Sequence, residues 1–135
     1  MKPEIQNKIT LDRFFVEQLK YQCNNYKKVN MSDQIDIELG VASSFSDDDL
    51  KSYLIKIFVK IKTKTDGFTL ECHAVGQFVT SEDIDEEFKV SHFVKINSPA
   101  ILFPFVRSYI NTMTTNSGLS PIILPSVNFS NLHEQ

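Results

Sequence analysis

The cysteines and histidines are the residues of this 135-residue chain whose types could support nucleophilic or metal chemistry. A cysteine nucleophile needs an imidazole within hydrogen-bonding reach. Cys72 and His73 are adjacent in a segment that alternates like a strand, so their side chains are predicted to face opposite ways. His92 and His133 are distant in sequence and complete no HxxxH or Cys/His zinc spacing. The pattern favours a small buried apolar role for Cys72 and predicts no enzyme activity.

A run of three carboxylates, Asp47 to Asp49, is a second candidate ligand set. The run lacks the glycine and the distal glutamate of a calcium-binding helix-loop-helix site, so a solvated turn is favoured over a cation site. The four glycines form no phosphate-binding loop. The sequence therefore predicts neither a metal nor a cofactor.

Composition is typical of a soluble folded protein, with 41% hydrophobic and 23% charged residues. The length fits one domain over residues 1–135. A net charge of −3 argues against a nucleic-acid binder, and no apolar run approaches the roughly 18 residues of a membrane span. Cys23 and Cys72 have no CxxC spacing and no signal peptide precedes them, which predicts free thiols in a reducing cytoplasm.

Alternating apolar residues predict three consecutive strands in the middle of the chain. The segments are QIDIELGVA (residues 34–42), YLIKIFVKIKT (53–63) and FTLECHAVGQFV (68–79). The acidic stretch SSFSDDDLKS, residues 43–52, is predicted to be a solvated loop, and KTDG, residues 64–67, carries the Asp-Gly signature of a tight turn. Short connections between neighbouring strands imply an antiparallel sheet.

The first segment, residues 9–23, has two possible interpretations. Leu11, Phe15 and Leu19 fit a helical spacing, but most apolar residues fall at odd positions, with Phe14 and Val16 as interruptions. A strand with a bulge, where the facing of the side chains switches, is favoured over the helix.

Beyond residue 98 the apolar spacing changes to three and four residues, which predicts a long helix. Ser98 is predicted as its N-cap, Pro99 as its first residue and Gly118 as its end. Ile84 and Phe88 predict a short amphipathic turn behind a Ser81 cap. The tail LSPIILPSVNFSNLHEQ, residues 119–135, is predicted to be extended and packed, with one helical turn from Asn128.

Two blocks of this region, NSPAILFPFVRSYINTM and GLSPIILPSVNF, resemble the signature of the SecB protein-export chaperones. In that family a Pro-x-Ile-Leu-Phe-Pro-aromatic-x-Arg helix precedes a proline-rich block that ends in Val-Asn-Phe. The matching residues are Pro99, Ile101, Leu102, Phe103, Pro104, Phe105, Arg107, Pro121, Leu124, Pro125, Val127, Asn128 and Phe129. LDRFFVEQLKYQ and LECHAVGQF extend the resemblance over nearly the whole chain.

The resemblance implies an α+β fold: a four-stranded antiparallel sheet with a long helix packed on it and a short C-terminal helix. It also implies a homotetramer assembled as a dimer of dimers, consistent with more apolar surface than one small chain can cover. By the resemblance, the interface between dimers would involve Leu70, Cys72, Ala74, Tyr109, Ile110 and Met113.

The function implied by the resemblance is that of a cytoplasmic, ATP-independent chaperone that holds non-native polypeptides in apolar grooves. Such a chaperone needs shallow, adaptable apolar contacts rather than one shaped pocket. The candidate client-binding residues are Phe15, Tyr21, Ile101, Phe103, Phe105, Leu119, Ile122, Ile123 and Val127.

The sequence departs from the family where the export motor SecA would dock. Gln18 and Gln22 stand at places where the family has acidic residues, and only Glu71 keeps its charge there. The chain stops at NLHEQ, so the C-terminal region that assists docking is expected to be missing. Two alternatives to a general chaperone for secretory clients therefore stay open: a chaperone dedicated to an antitoxin, and an oligomeric interaction module without holding activity.

Overall fold

The structure, a computed structural model, describes residues 8–29 and 35–130. Within these residues one antiparallel sheet has the strand order β1-β4-β3-β2. The elements are β1 (Ile9–Cys23), a 3₁₀ turn (Tyr26–Lys28), β2 (Ile35–Ser46), β3 (Asp49–Thr63), β4 (Phe68–Thr80), α1 (Glu86–Lys89), a π-helical turn (Phe93–Asn97) and α2 (Ser98–Asn116). The predicted α+β fold is confirmed, while residues 131–135 of the expected C-terminal helix lie outside the described residues.

The sheet has a helix face, against which α2 packs, and an outer face. On β3 the helix face carries the alternating residues that the sequence predicted, and each of them is at most 2% exposed: Tyr53, Ile55, Ile57, Val59 and Ile61. On β4 the helix face carries Leu70, Cys72 and Ala74, which are fully buried. Burying this face against α2 forms the main core of the protein.

β1 is a bulged strand, as predicted, and it lies at one edge of the sheet. Its register against β4 shifts between Leu11 and Arg13 and again between Val16 and Gln18. Successive side chains of a strand alternate between the two faces of the sheet. Each shift therefore switches the face on which the odd-numbered and the even-numbered side chains lie. The two shifts therefore place Phe14 and Val16 on the helix face together with Leu11, and they explain the interruption in the sequence pattern.

The loop predicted for residues 43–52 is wrong. β2 continues to Ser46 and β3 begins at Asp49, so the two strands form one long hairpin. Phe45 extends the apolar alternation of β2, and its ring stacks on Tyr53 with a centroid distance of 5.8 Å. The polar residues around it lie at the strand ends and face solvent, so their composition is like that of a loop.

Neither predicted serine cap is correct. Ser98 is buried, and its hydroxyl donates to the carbonyl of Phe93 and lies 2.7 Å from the Tyr53 hydroxyl, so it joins α2 to the sheet. The π-helical turn runs directly into α2, which removes the need for a cap there. The cap of α1 is Asp85 rather than Ser81, because its carboxylate accepts the Phe88 N–H at 2.7 Å.

The tail after α2 runs back along the helix, as an extended packed segment. Gly118 has a positive φ of 85°, which glycine tolerates and which reverses the chain. The Ile122 N–H then donates to the Thr114 hydroxyl, and the Phe129 ring packs edge-on against Phe103 at 5.5 Å. These anchors near opposite ends of α2 show that the tail is antiparallel to the helix.

Candidate functional site

The residues that could have supported catalysis are separated by the sheet. Cys72 lies on the helix face and is fully buried, and burial raises the pKa of its thiol to about 11. His73 lies on the outer face, where its ring and that of Phe58 are nearly perpendicular, with centroids 4.9 Å apart. The thiol is thus protonated at neutral pH and has no access to this imidazole. Among residues 8–29 and 35–130, no group of three or more His, Cys, Asp or Glu side chains could hold a metal ion.

α2 carries an apolar row that the rest of the chain only partly covers. We call Ile101, Phe105, Tyr109 and Met113 the α2 stripe, because a spacing of four residues places them on one side of the helix. Ile101 is 38% exposed and Phe105 is 48% exposed, whereas Tyr109 and Met113 are partly buried. The half of the stripe nearer the start of α2 is therefore the more accessible half.

The stripe continues onto the helix face of β1. The rings of Phe14 and Phe105 are 5.8 Å apart, and Leu19 further along β1 is 37% exposed. Burial raises the pKa of Tyr109, and the nearby Cys72 raises it further. We call the α2 stripe together with Phe14 and Leu19 the β1–α2 band. Together these side chains present apolar surface to the solvent.

A second apolar position lies on the tail. Ile123 is 73% exposed, while its neighbours Ile122 and Leu124 are buried against the core. This alternation follows from the extended backbone, which turns successive side chains to opposite sides. Leu119 and Val127 are partly buried next to the same core.

The predicted client-binding residues differ in their exposure and in the face of the sheet on which they lie. Ile101, Phe105 and Ile123 offer substantial apolar surface. Phe103 and Ile122 are buried and offer almost none. Phe15 lies on the outer face, where the Arg13 guanidinium stands 5.2 Å from its ring, so it is separated from the other members by the sheet. Tyr21 lies on the helix face near the end of β1, with its ring 6.2 Å from Phe68.

The residues predicted for the oligomer interface differ in burial. Leu70, Cys72, Ala74 and Ile110 are fully buried within the single chain, so a second copy is not needed to cover them. The remaining two, Tyr109 and Met113, are partly buried and belong to the α2 stripe.

Two members of the β1–α2 band, Phe14 and Leu19, were missing from the predicted site. Their position depends on the two register shifts of β1, which bring residues of different parity to one face. The consecutive aromatics Phe14 and Phe15 were the available signal, because two adjacent rings in a strand must occupy both faces.

On the outer face, the only acidic residue retained at the predicted docking positions is close to a lysine. Glu71 Oε1 lies 3.7 Å from Lys60 Nζ, and Glu17 Oε1 lies 3.0 Å from Lys56 Nζ. These pairs are partly exposed, so each contributes little to stability. Their main consequence is electrostatic, because each lysine offsets the carboxylate next to it.

Comparison with known families decides where the chain belongs. Residues 2–135 match the family described as preprotein translocase subunit SecB. The chain belongs to the SecB family. This SecB-family chain is 27% identical to the protein-export protein SecB of Anaplasma phagocytophilum, over 97% of the chain and 94% of that protein. It is 25% identical to the SecB of a Neisseria meningitidis strain, over the whole chain and 94% of that protein.

Another relative is similar over a shorter region. An uncharacterized protein of Methanocaldococcus jannaschii is 48% identical over 54 residues, which span 40% of this chain and 33% of that protein. The shared region therefore represents about a third of that relative.

Solved structures show the same fold. A Mycobacterium tuberculosis SecB-like chaperone, solved in complex with a ChAD peptide from an antitoxin, superposes with a TM-score of 0.71 and 15% identity. The match covers 89% of this chain and 88% of that one. A Streptococcus agalactiae protein of unknown function gives a TM-score of 0.55. Family and fold together identify a SecB-like chaperone, and none of the helices in its described residues is long and apolar enough to cross a membrane.

Proposed function

We propose that this SecB-like chaperone holds non-native polypeptides without ATP, in the cytoplasm, by binding their apolar side chains. The observation that carries the proposal is the exposure of Phe105 and Ile101 on a helix that is anchored to the sheet by buried neighbours. A contiguous patch of exposed apolar side chains on a rigid element is typical of a binding surface. The ring contact between Phe105 and Phe14 provides a ready apolar wall for such a partner.

The strength of one such contact explains why several are needed. Burying a Leu, Ile or Phe side chain of a client contributes about 1.5–3 kcal/mol, and ordering the client chain opposes this gain. One band per chain therefore gives weak binding, whereas repeated bands on an oligomer act together. We propose the dimer of dimers for this reason, with the half of the α2 stripe that contains Tyr109 and Met113 at the contact between dimers. The half with Ile101 and Phe105 then stays available to clients.

The client class has two candidates. The first is a range of non-native chains, including secretory preproteins delivered to SecA. The second is a single antitoxin, and the lysines beside Glu71 and Glu17 favour it, because they reduce the acidic character that SecA docking would use. The M. tuberculosis SecB-like chaperone, which has the same fold, is bound to such an antitoxin peptide, and this supports the second candidate.

A holding assay with matched variants tests the proposal. An unfolded probe protein is diluted into buffer with the chaperone, and its aggregation is followed by light scattering. Phe105→Ser removes an exposed ring from the band, whereas Leu50→Ser removes a side chain that is 45% exposed at the β2–β3 hairpin, away from the band. We expect Phe105→Ser to weaken holding several-fold and Leu50→Ser to leave it unchanged.

The other outcomes have definite meanings. If Phe105→Ser holds the probe as well as the original chain does, with unchanged circular dichroism, the β1–α2 band does not bind clients. No suppression of aggregation by the original chain would favour an interaction module without holding activity. Co-purification from cells then separates the two client classes, since a general chaperone captures many polypeptides and a dedicated one captures a single antitoxin.

A further inference from the structure

The outer face of the sheet carries a row of charges that alternates in sign across all four strands. The backbone register pairs Glu38 with Lys60, Lys60 with Glu71, and Glu71 with Lys20. From β2 to β1 the row reads negative, positive, negative, positive. Its central members Lys60 and Glu71 lie 3.7 Å apart, and their side chains are 51% and 36% exposed. We call these four residues the charge row.

An even row of alternating charges is complementary to itself. A twofold axis that is parallel to the strands and lies between β3 and β4 would place a second copy face to face with its row reversed. Lys20 of that copy would then stand over Glu38, and its Glu71 would stand over Lys60. All four contacts between the rows would join opposite charges, which favours this register over its alternatives.

The neighbouring positions match in size under the same axis. The outer face of β2 carries the small residues Gly40, Ala42 and Ser44, which fall in the same cross-strand rows as Gln18, Phe15 and Arg13 of β1. The reversed copy places each large β1 side chain over a small β2 residue. It also places its His73 over Phe58 and its Phe58 over His73, which repeats the aromatic contact that these two rings make within one chain at 4.9 Å.

We propose that the outer face of the sheet is a docking surface for a second copy of this chain, paired through the charge row. A partner of one charge sign gains little from this face, because two acidic and two basic residues cancel in the row. A second copy carries the matching row in the reverse order. Isologous pairing of one patch with itself is the commonest way in which identical chains associate.

The area of the face indicates that the pairing is reversible. Four strands about 4.8 Å apart, each contributing about ten residues at 3.3 Å, offer about 600 Å² per copy. The total of about 1,200 Å² is at the lower limit for specific stable complexes. Because the contact is polar and partly exposed, its strength depends on salt: the screening length is about 30 Å at 0.01 M salt and about 3 Å at 1 M.

Charge reversal provides the test. Sedimentation velocity of the full chain is measured over a range of concentrations at low and high salt. At low salt we expect an association step beyond the proposed dimer of dimers, and we expect high salt to abolish this step. Lys60→Glu and Glu71→Lys each place two like-charged contacts at the centre of the paired rows. Each is expected to weaken the step at least about tenfold. The double variant restores opposite charges across the axis and is expected to return the step to within about threefold of the original.

Lys62→Glu is the matched control. It makes the same charge change one row away on the same strand, where the paired register places Lys62 over Thr69 of the other copy. We expect it to leave the step nearly unchanged. The proposal is wrong if no salt-sensitive step exists, if Lys60→Glu and Lys62→Glu weaken it equally, or if the double variant stays as weak as the single ones. Melting curves check that each variant is folded, and the holding assay reports on the proposed client binding separately.

Discussion

The effect of adding one methyl group at two glycines of the sheet is a sharp test of how α2 is seated. At Gly76, on the helix face of β4, an added Cβ would lie 2.8 Å from Leu102 Cδ1, 3.0 Å from Leu11 Cδ1 and 3.1 Å from Phe78 Cε1. Leu102 and Phe78 are fully buried, so neither can move freely. Gly76→Ala is expected to destabilise the fold by about 1–3 kcal/mol through overpacking.

Gly40 provides the matched control on the opposite face. An added Cβ there would meet the Phe58 ring at 3.5 Å, which is an ordinary contact distance. Alanine also reduces the freedom of the unfolded chain, so Gly40→Ala is expected to stabilise by about 0.4–1 kcal/mol. The same Gly→Ala substitution is thus expected to lower stability at Gly76 and to raise it at Gly40, because only Gly76 lies under the helix.

Urea titration followed by circular dichroism measures both effects. Leu102→Val should relieve part of the clash, so the double variant Gly76→Ala/Leu102→Val is expected to lose less stability than the two single losses combined. Because α2 carries the β1–α2 band, Gly76→Ala should also weaken client holding. If Gly76→Ala were as stable as Gly40→Ala, the close packing of α2 on β4 would be refuted.

Three further predictions concern single side chains. Burial raises the pKa of Cys72 from 9.0 to about 11, so only the unfolded chain ionises this thiol as pH rises past 9. Stability is then expected to fall by about 2 kcal/mol between pH 9 and pH 11, and Cys72→Val should flatten that fall in urea titrations at each pH. Tyr53→Phe removes the hydroxyl that lies 2.7 Å from Ser98 and should cost about 1 kcal/mol, measured as a lower Tm; an unchanged Tm would count against this link between β3 and α2. Asp85→Ala leaves the Phe88 N–H without its cap and should cost about 1 kcal/mol, whereas Asp85→Asn should retain most of that stability.

Much of the sheet was predictable because its signal is local. Tyr53 to Ile61 alternate strictly, and one face of β3 is buried as that alternation requires. The length of the β2–β3 hairpin was not predictable in the same way. Serines and aspartates are common in loops, and only the pairing of Ser43 and Ser44 with residues of β3, together with the Phe45–Tyr53 contact, shows that the strands continue through them.

The candidate site was predictable as a region but not residue by residue. Four-residue spacing identified Ile101 and Phe105 as neighbours on one helix side. The same spacing could not show that Phe103 is covered by Phe129, because that contact depends on the tail folding back along α2. Nor could it place Phe15 on the outer face, since two register shifts in β1 decide which side each of its residues occupies.

The sequence by itself determined the family, the alternating strands and the long apolar helix, because these follow from residue types at short spacing. Tertiary structure alone decided which apolar residues remain exposed and which charges meet across the outer face. Burial and charge pairing depend on residues that are distant in the chain, and they become neighbours only when strand register and helix packing are fixed. Cys72 shows the difference: its strand position was readable from the sequence, but the burial that raises its pKa requires the folded sheet and helix together.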